Sequence, residues 1–439
     1  MRRAFVVLAG LALVACLALP AWAQEEAATN PVTIVLWTHL GPGPESSLLD
    51  AQIAAFNNGQ QGVEVQRVDV QGSYVEALEQ AAATGELPDI VDLPAAYLAN
   101  YAWRGMLAPL DEYVDQAMRD DFLGAVLAQN TWDGKLYALP SCESSAALWA
   151  NKDYLDKTLA RIPQGVEDAW TAEEFEDVLK RLANMSELNE AMELHLDAEP
   201  TEFLAFAYHP LLLMFGGSLF NADAMSATGA FNSEQSVAAL TEFQLWFAKG
   251  YADAALAGDS FARGESGLSW NGQWAWQEYD RALGGKLLLL PLPMLGESAV
   301  SGMGGWSWAV SAQSENKAAA WAFLDNILAT DQMLQTATVS GAIPARKSAA
   351  DHSALYGENG PLRLFVQQLA ATAQPRPRVP ASPVLAEIFA RTLLDIALGH
   401  DVQSELDAAA AEIDRELMRL GYMELPAAEE TGDTGETQQ

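Results

Sequence analysis

Cysteine is almost absent. Cys16 and Cys142 are the only two in 439 residues, so no disulfide framework can hold the fold together and its stability must come from a core. Positive charge is scarce as well: 24 lysines and arginines face 59 aspartates and glutamates, a formal net charge of −35. Such a surface repels nucleic acid and anionic lipid headgroups, so neither is expected as a partner. Histidine occurs five times, at 39, 195, 209, 352 and 400, never as a His-Glu-x-x-His pair, and Cys-x-x-Cys is missing; no metal site is expected. Gly-x-Ser-x-Gly and the phosphate loop Gly-x-x-x-x-Gly-Lys-Ser/Thr are missing too, and Ser307 stands where a dinucleotide fingerprint over Gly302, Gly304 and Gly305 needs its third glycine. No catalytic constellation and no cofactor follow from the motifs.

One long apolar run exists, Ala4 to Leu19, behind Met1-Arg2-Arg3 and before Ala21-Trp22-Ala23. It is shorter than the roughly 20 residues of a membrane span and ends in a small-x-small site, so residues 1–23 read as a secretory signal cleaved after Ala23. A competing signal, Leu13-Val14-Ala15-Cys16, is similar to a bacterial lipobox and would make Cys16 a lipid-bearing N-terminus. Both readings put the protein outside the cytoplasm, in the periplasm. Half of all residues are hydrophobic, enough for a core split over two domains.

Strand and helix patterns then alternate. Val32 to Trp37 is a β-branched apolar run ending in Thr38-His39-Leu40-Gly41-Pro42; Glu45 and Ser46 open a helix with Leu49, Ile53 and Phe56 on one face. Val63, Val65, Val68 and Val70 mark a second strand, Tyr74 to Ala83 a second helix stopping near Gly85, and Leu87 to Leu93 a third strand. That βαβ spacing predicts an open, mainly parallel sheet, with ligand at the carboxyl ends of its strands, where Trp37, His39 and Asp92 fall. Further on, Thr171 and Glu174 form a capping box that Trp170 and Phe175 can staple. Residues 186–202 are acidic and read as a surface helix or loop, Phe203 to Gly217 as an aromatic and apolar segment, and Ser314 as the cap of a helix carrying Trp321, Leu324, Ile327 and Leu328. Pro375 to Pro380 is rigid and extended before two terminal helices, and residues 426–439 are too polar to fold.

The densest signal is a tryptophan cluster. Five of the thirteen tryptophans lie in Trp270-Asn271-Gly272-Gln273-Trp274-Ala275-Trp276 and Gly304-Gly305-Trp306-Ser307-Trp308. Indoles offer large flat faces and neighbouring glycines admit a ligand to the backbone, so the cluster reads as a stacking platform for a ring-bearing molecule.

Asn271-Gly272-Gln273-Trp274-Ala275-Trp276, the Leu-Pro-Leu-Pro strand end at 290–293 and the Gly-Gly loop together resemble family 1 extracellular solute-binding proteins of bacterial ABC importers, the maltose-binding type. Trp132-Asp133-Gly134-Lys135-Leu136-Tyr137-Ala138-Leu139-Pro140, Asn151-Lys152-Asp153 and Gly341-Ala342-Ile343-Pro344-Ala345-Arg346 are similar to the family's crossover segments. The resemblance implies an α/β fold of two lobes, a type II periplasmic binding protein or Venus flytrap, with a hinge and an interlobe cleft. Crossovers near 138–142, 289–293 and 339–344 would assign residues 24–139 and 292–340 to the first lobe and 140–291 and 341–425 to the second. It also implies a monomer that captures a sugar, oligosaccharide or polyol and hands it to permease subunits in the membrane.

On that reading Trp274, Trp306 and Trp37 cover the ring faces of the solute, and Glu45, Asp92, Glu143, Asn271 and Arg346 bond its rim. Ser144 is as eligible as Glu143, Phe206 or Tyr208 could add a ring, and His39, Tyr74 and Gly305 complete the expected site. Two alternatives stay open: another solute such as a polyamine, and a secreted glycosidase, which needs only two suitably separated carboxylates.

Overall fold

The computed structural model describes residues 31–197, 202–221, 223, 225–255 and 258–422. The signal sequence, Cys16 and the 426–439 tail lie outside the described residues. In chain order the strands are β1 (Val32–Trp37), β2 (Val63–Val68), β3 (Ile90–Pro94), β4 (Thr131–Trp132), β5 (Lys135–Leu136), β6 (Ala138–Leu139), β7 (Cys142–Asn151), β8 (Glu190–Glu193), β9 (Ser266–Gly272), β10 (Leu287–Leu290), β11 (Met303–Gly304), β12 (Trp306–Val310) and β13 (Ile343–Pro344).

They build two sheets and a small β4–β5 hairpin. The first sheet runs β2-β1-β3-β12-β6, parallel among β1, β2 and β3 and antiparallel where β12 joins. Helices α1 (Pro44–Gly59) and α2 (Tyr74–Thr84) are its crossovers. Ser73 caps α2 by accepting from the Glu76 amide, and Gly85 closes it at φ 75°, a left-handed conformation that glycine adopts without steric strain. The second sheet runs β10-β7-β9-β8, with β11 and β13 pairing the first half of β7.

Strand β7 serves both cores. Ala146, Leu148 and Ala150 face the larger cluster, with Trp270, Phe243 and Leu393, whereas Ala147 and Trp149 face the cluster that also holds Ile34, Leu36 and Phe365. The chain passes between the sheets at Pro140–Ser141, at Gly305 and at Gly341–Ala342. The middle passage falls later than the expected 289–293. Leu292, Leu295 and Val300 are buried in the second sheet's cluster and β11 still pairs with β7, so the chain leaves that lobe only at Gly305.

Residues 186–202 differ more. Glu190-Ala191-Met192-Glu193 is a buried strand, parallel to β9, rather than surface loop. Its glutamates are tolerated because each finds partners: Glu190 accepts from Ser260 Oγ (2.6 Å) and the Asp253 amide (3.1 Å), and Glu193 from Ser269 Oγ (3.0 Å). Thr171 and Glu174 do form a reciprocal capping box, with Trp170 against Phe175. The helix Lys317–Ile327 starts behind Asn316, however, because Ser314 donates its hydroxyl to Asp89 (2.5 Å). Among the described residues no helix is long and apolar enough to cross a membrane.

Candidate ligand-binding site

The two lobes enclose a cavity of about 570 Å³ where the middle passage crosses, within the range of small-molecule sites. Pro94, Ala96 and Tyr97 border it from the first lobe, and His195, Phe203, Phe206, Asn271 and Trp274 from the second; Ser144, Gly305 and Trp306 form the floor. A smaller cavity of about 150 Å³ adjoins it across Ser144, Gly305 and Trp306. Its walls include His39, Glu45, Asp92, Glu143 and Trp308. Gly305 lies where the two meet, and a Cβ there would crowd the Cys142 carbonyl oxygen at 3.1 Å.

The first-lobe wall is braced before any ligand arrives. Asp92, buried in the middle of β3, accepts from Thr38 Oγ1 (2.7 Å) and the His39 amide (3.0 Å) and meets His39 Nδ1 at 2.6 Å. This fixes the imidazole flat against Trp306, ring centres 3.8 Å apart and planes 8° apart. Tyr74 holds the indole edge-on at 5.8 Å and donates its hydroxyl to the Asp92 carbonyl (2.7 Å). Burial first, then the nearby Asp92 carboxyl, push the Tyr74 phenol well above its ordinary range, so it stays a donor.

In the second lobe, β9 alternates. Leu268 and Trp270 go into the core, while Ser269 and Asn271 point to the opposite face. The Asn271 amide nitrogen meets Tyr279 Oη at 3.0 Å and His195 Nε2 at 2.9 Å, and its oxygen accepts from the Gly272 amide (2.8 Å). His195 is placed there by a left-handed backbone, φ 53°. The chain then turns at Gln273, whose side chain bonds the Ser145 amide (3.1 Å) and Ser144 Oγ (3.1 Å). Trp274 follows, 47% exposed, between Phe206 at 5.7 Å and Phe203 at 6.1 Å. Its ring lies over Gly272, where a Cβ would sit 2.2 Å from the indole carbons. The sequence thus presents the indole to the cleft by leaving no side chain beneath it.

A family model described as bacterial extracellular solute-binding protein matches residues 51–360, well over half of the chain. The chain belongs to this solute-binding family. A similar relative, the maltooligosaccharide ABC transporter solute-binding lipoprotein of Streptococcus pneumoniae, is 24% identical over 408 residues, 90% of this chain and 91% of its own. Among solved structures, the sugar-binding protein MalE from Xanthomonas citri superposes with a TM-score of 0.77 at 18% identity, covering 89% of this chain and 98% of that one. The cyclic alpha-maltosyl-1,6-maltose binding protein from Arthrobacter globiformis superposes at 0.75 and 22% identity, covering 89% and 100%. The fold is the two-lobed one of maltose-binding-type proteins.

Within this solute-binding protein, His39, Glu45, Asp92, Glu143, Gly305 and Trp306 line the inner cavity, and Asn271, Trp274, Gly305 and Trp306 the outer one. Three expected residues lie elsewhere. Trp37 lines neither cavity: strand alternation turns it to the α2 side of the first sheet, against the cluster of Leu78 and Leu93. Arg346 is held by Asp121 Oδ2 (2.7 Å) and the Leu328 carbonyl (3.1 Å), away from both cavities. Tyr74 stands behind Trp306 rather than in the wall. Of the two candidate rings, Phe206 lines the cleft, while Tyr208 is fully buried and donates to the Leu194 carbonyl.

His195, Glu202, Phe203 and Arg376 were missed. Arg376, in the extended proline-rich stretch, bonds Gln129 Oε1 in the first lobe through its amide (2.6 Å) and Glu202 in the second through its guanidinium (2.7 Å). An arginine inside Pro-Arg-Pro-Arg was the only available signal. Among the described residues, Asp395, His400 and Glu405 are the three side chains whose ligand atoms cluster closely enough for a metal ion; they line neither cavity.

Proposed function

We propose that this protein captures a carbohydrate, an oligosaccharide or polyol, outside the cytoplasm and delivers it as a monomer to the permease of an ABC importer. One observation carries the reading: Trp274 from the second lobe and Trp306 at the start of the first-lobe strand β12 border a single cavity, with Asn271, His195 and Ser144 between them. Sugar rings offer a C–H face and a rim of hydroxyls, the complement of indoles flanked by amide, imidazole and hydroxyl groups. An aromatic contact and a hydrogen bond between neutral groups each supply roughly 0.5–1.5 kcal/mol. The names of the pneumococcal relative and of the Xanthomonas and Arthrobacter proteins support a sugar.

A solute that touches both lobes stabilises the form in which they are closed, and the closed form is what a permease would recognise. Turnover is disfavoured at the outer cleft. Glycoside hydrolysis needs two facing carboxyl groups, whereas the described residues there include one, Glu202, already paired with Arg376. Residues 1–23 supply export, and the Cys16 lipid would tether the protein if that signal is the one used.

A thermal-shift screen of the mature protein against sugars and polyols tests the reading. A ligand at about 100 times its dissociation constant stabilises by roughly 2.7 kcal/mol. A shift with at least one carbohydrate, recovered unhydrolysed, is expected; a screen in which none shifts the melting point, or in which the ligand returns cleaved, overturns it.

A further inference from the structure

The inner cavity has walls unlike the outer one. Three carboxyl groups line it, Glu45 from the first turn of α1, Asp92 from the middle of β3 and Glu143 from β7, while neither lysine nor arginine is among its lining residues. Its one basic side chain, His39, is already engaged by Asp92 and Trp306. Asp92 is likewise used up on Thr38 and His39.

Glu143 is different. It is 1% exposed, borders the cavity, and neither carboxyl oxygen has a hydrogen-bond partner among the described residues. Buried polar groups are nearly always satisfied, and an unmet pair of acceptors bordering a cavity calls for a donor that enters with the ligand. An ammonium group brings three donors, no acceptor and a charge of the right sign. Trp306 and Trp308 line the same wall, so the remainder of the surface that the group meets is largely apolar.

We propose that the solute carries a basic nitrogen, as in an amino sugar or an aminoalkyl glycoside, and that its ammonium group enters the inner cavity to pair with Glu143 while the sugar occupies the outer cleft. This rests on the carbohydrate reading and narrows it. Burial pushes the Glu143 carboxyl up to about 8; the neighbouring Ser144 and Gly304 amides lower it only in part and make no hydrogen bond of ordinary geometry to either oxygen. Below that pH the free protein holds it as the acid, so binding R-NH3+ yields the ammonium–carboxylate pair and releases one proton to solvent. The other titratable groups facing Glu143 are Glu45 from α1, the pair of His39 just beyond β1 and Asp92 in β3, and Cys142 on its own strand. The Cys142 thiol, pushed up to about 12 mainly by burial, stays protonated throughout. The helix Thr330–Ser340 contributes only Thr336 and Ser340, and β13 only Ile343 and Pro344.

The test is calorimetry of the mature protein with glucosamine, galactosamine, mannosamine and their 2-aminoethyl glycoside analogues, each against its hydroxyl counterpart, in two buffers of different ionisation enthalpy. At least one amine should bind tenfold or more tighter than its neutral partner at pH 7 and release close to one proton. Glu143→Gln should abolish both the preference and the release, with a melting temperature no lower than wild type at pH 7 to show that it folds. Neutral sugars binding as tightly with no proton release would overturn the inference and leave the carbohydrate reading standing. Proton release that survives in Glu143→Gln would overturn it too, by placing the nitrogen elsewhere. If neither amine nor neutral sugar binds, both fall.

Discussion

Glu143→Gln makes a prediction that needs no ligand. The wild-type carboxyl sits near 8 in the folded protein against an ordinary 4.5, so the folded state binds a proton that the unfolded state releases. Stability is therefore greatest below about pH 4.5, falls as pH rises towards 8, and stops falling above it. At about 1.36 kcal/mol per unit of pKa difference, the loss relative to the neutral acid is about 1 kcal/mol at pH 5, about 3 at pH 7 and about 4 at pH 8. Glutamine has the shape of the neutral acid and cannot ionise, so the variant escapes the loss. Scanning calorimetry of both proteins in the same buffers should show nearly coincident melting temperatures at pH 5 and a lead for the variant that widens to pH 8 by several degrees. Other titrating groups cancel in the difference. A constant lead across that range would mean that Glu143 ionises freely in the fold, and an inverted one that it has a cationic partner.

Three further outcomes are expected. Gly272→Ala should displace the Trp274 indole, since a Cβ at 272 overlaps its ring; ligand affinity should fall at least tenfold by calorimetry while the melting temperature of the free protein stays within about 2 °C, the backbone there being extended (φ −85°) and open to any residue. Arg346→Ala should destabilise the protein by about 1–3 kcal/mol in denaturant titration, because Asp121 and the Leu328 carbonyl lose a charged donor, with affinity unchanged within about twofold. His195→Ala removes the partner shared by Asn271, Ser269 and Glu193. It should lower stability by about 1–3 kcal/mol and also weaken binding, a pairing that Arg346→Ala must not show.

What the sequence revealed was mostly local. Apolar runs and caps marked β1, α1, α2 and the Thr171 helix because their signals lie within one turn or one strand. The Trp274 and Trp306 positions were readable from aromatic and glycine neighbours. Strand β8 was not, since Glu-Ala-Met-Glu looks solvated until Ser260 and Ser269 arrive from another part of the chain to satisfy it. Trp37 ends a strand whose carboxyl end faces the cleft, but residue alternation sends its ring to the opposite side and gives the cleft to His39. Arg346 had the right type and neighbourhood, but its distant partner Asp121 decides where it points. The passage at Gly305 rather than 289–293 reflects which cluster buries Leu292, Leu295 and Val300, a long-range fact with no short-range pattern.

The most direct measurement is a calorimetric titration of the best carbohydrate from the thermal-shift screen into wild type and Trp274→Ala. Wild type should saturate at one site per chain, and Trp274→Ala, which truncates a side chain 47% exposed in the free protein, should bind at least tenfold more weakly with its unliganded melting temperature essentially unchanged. Equal affinity in the two proteins would contradict capture between the lobes, and a variant that fails to fold would show this indole to be structural.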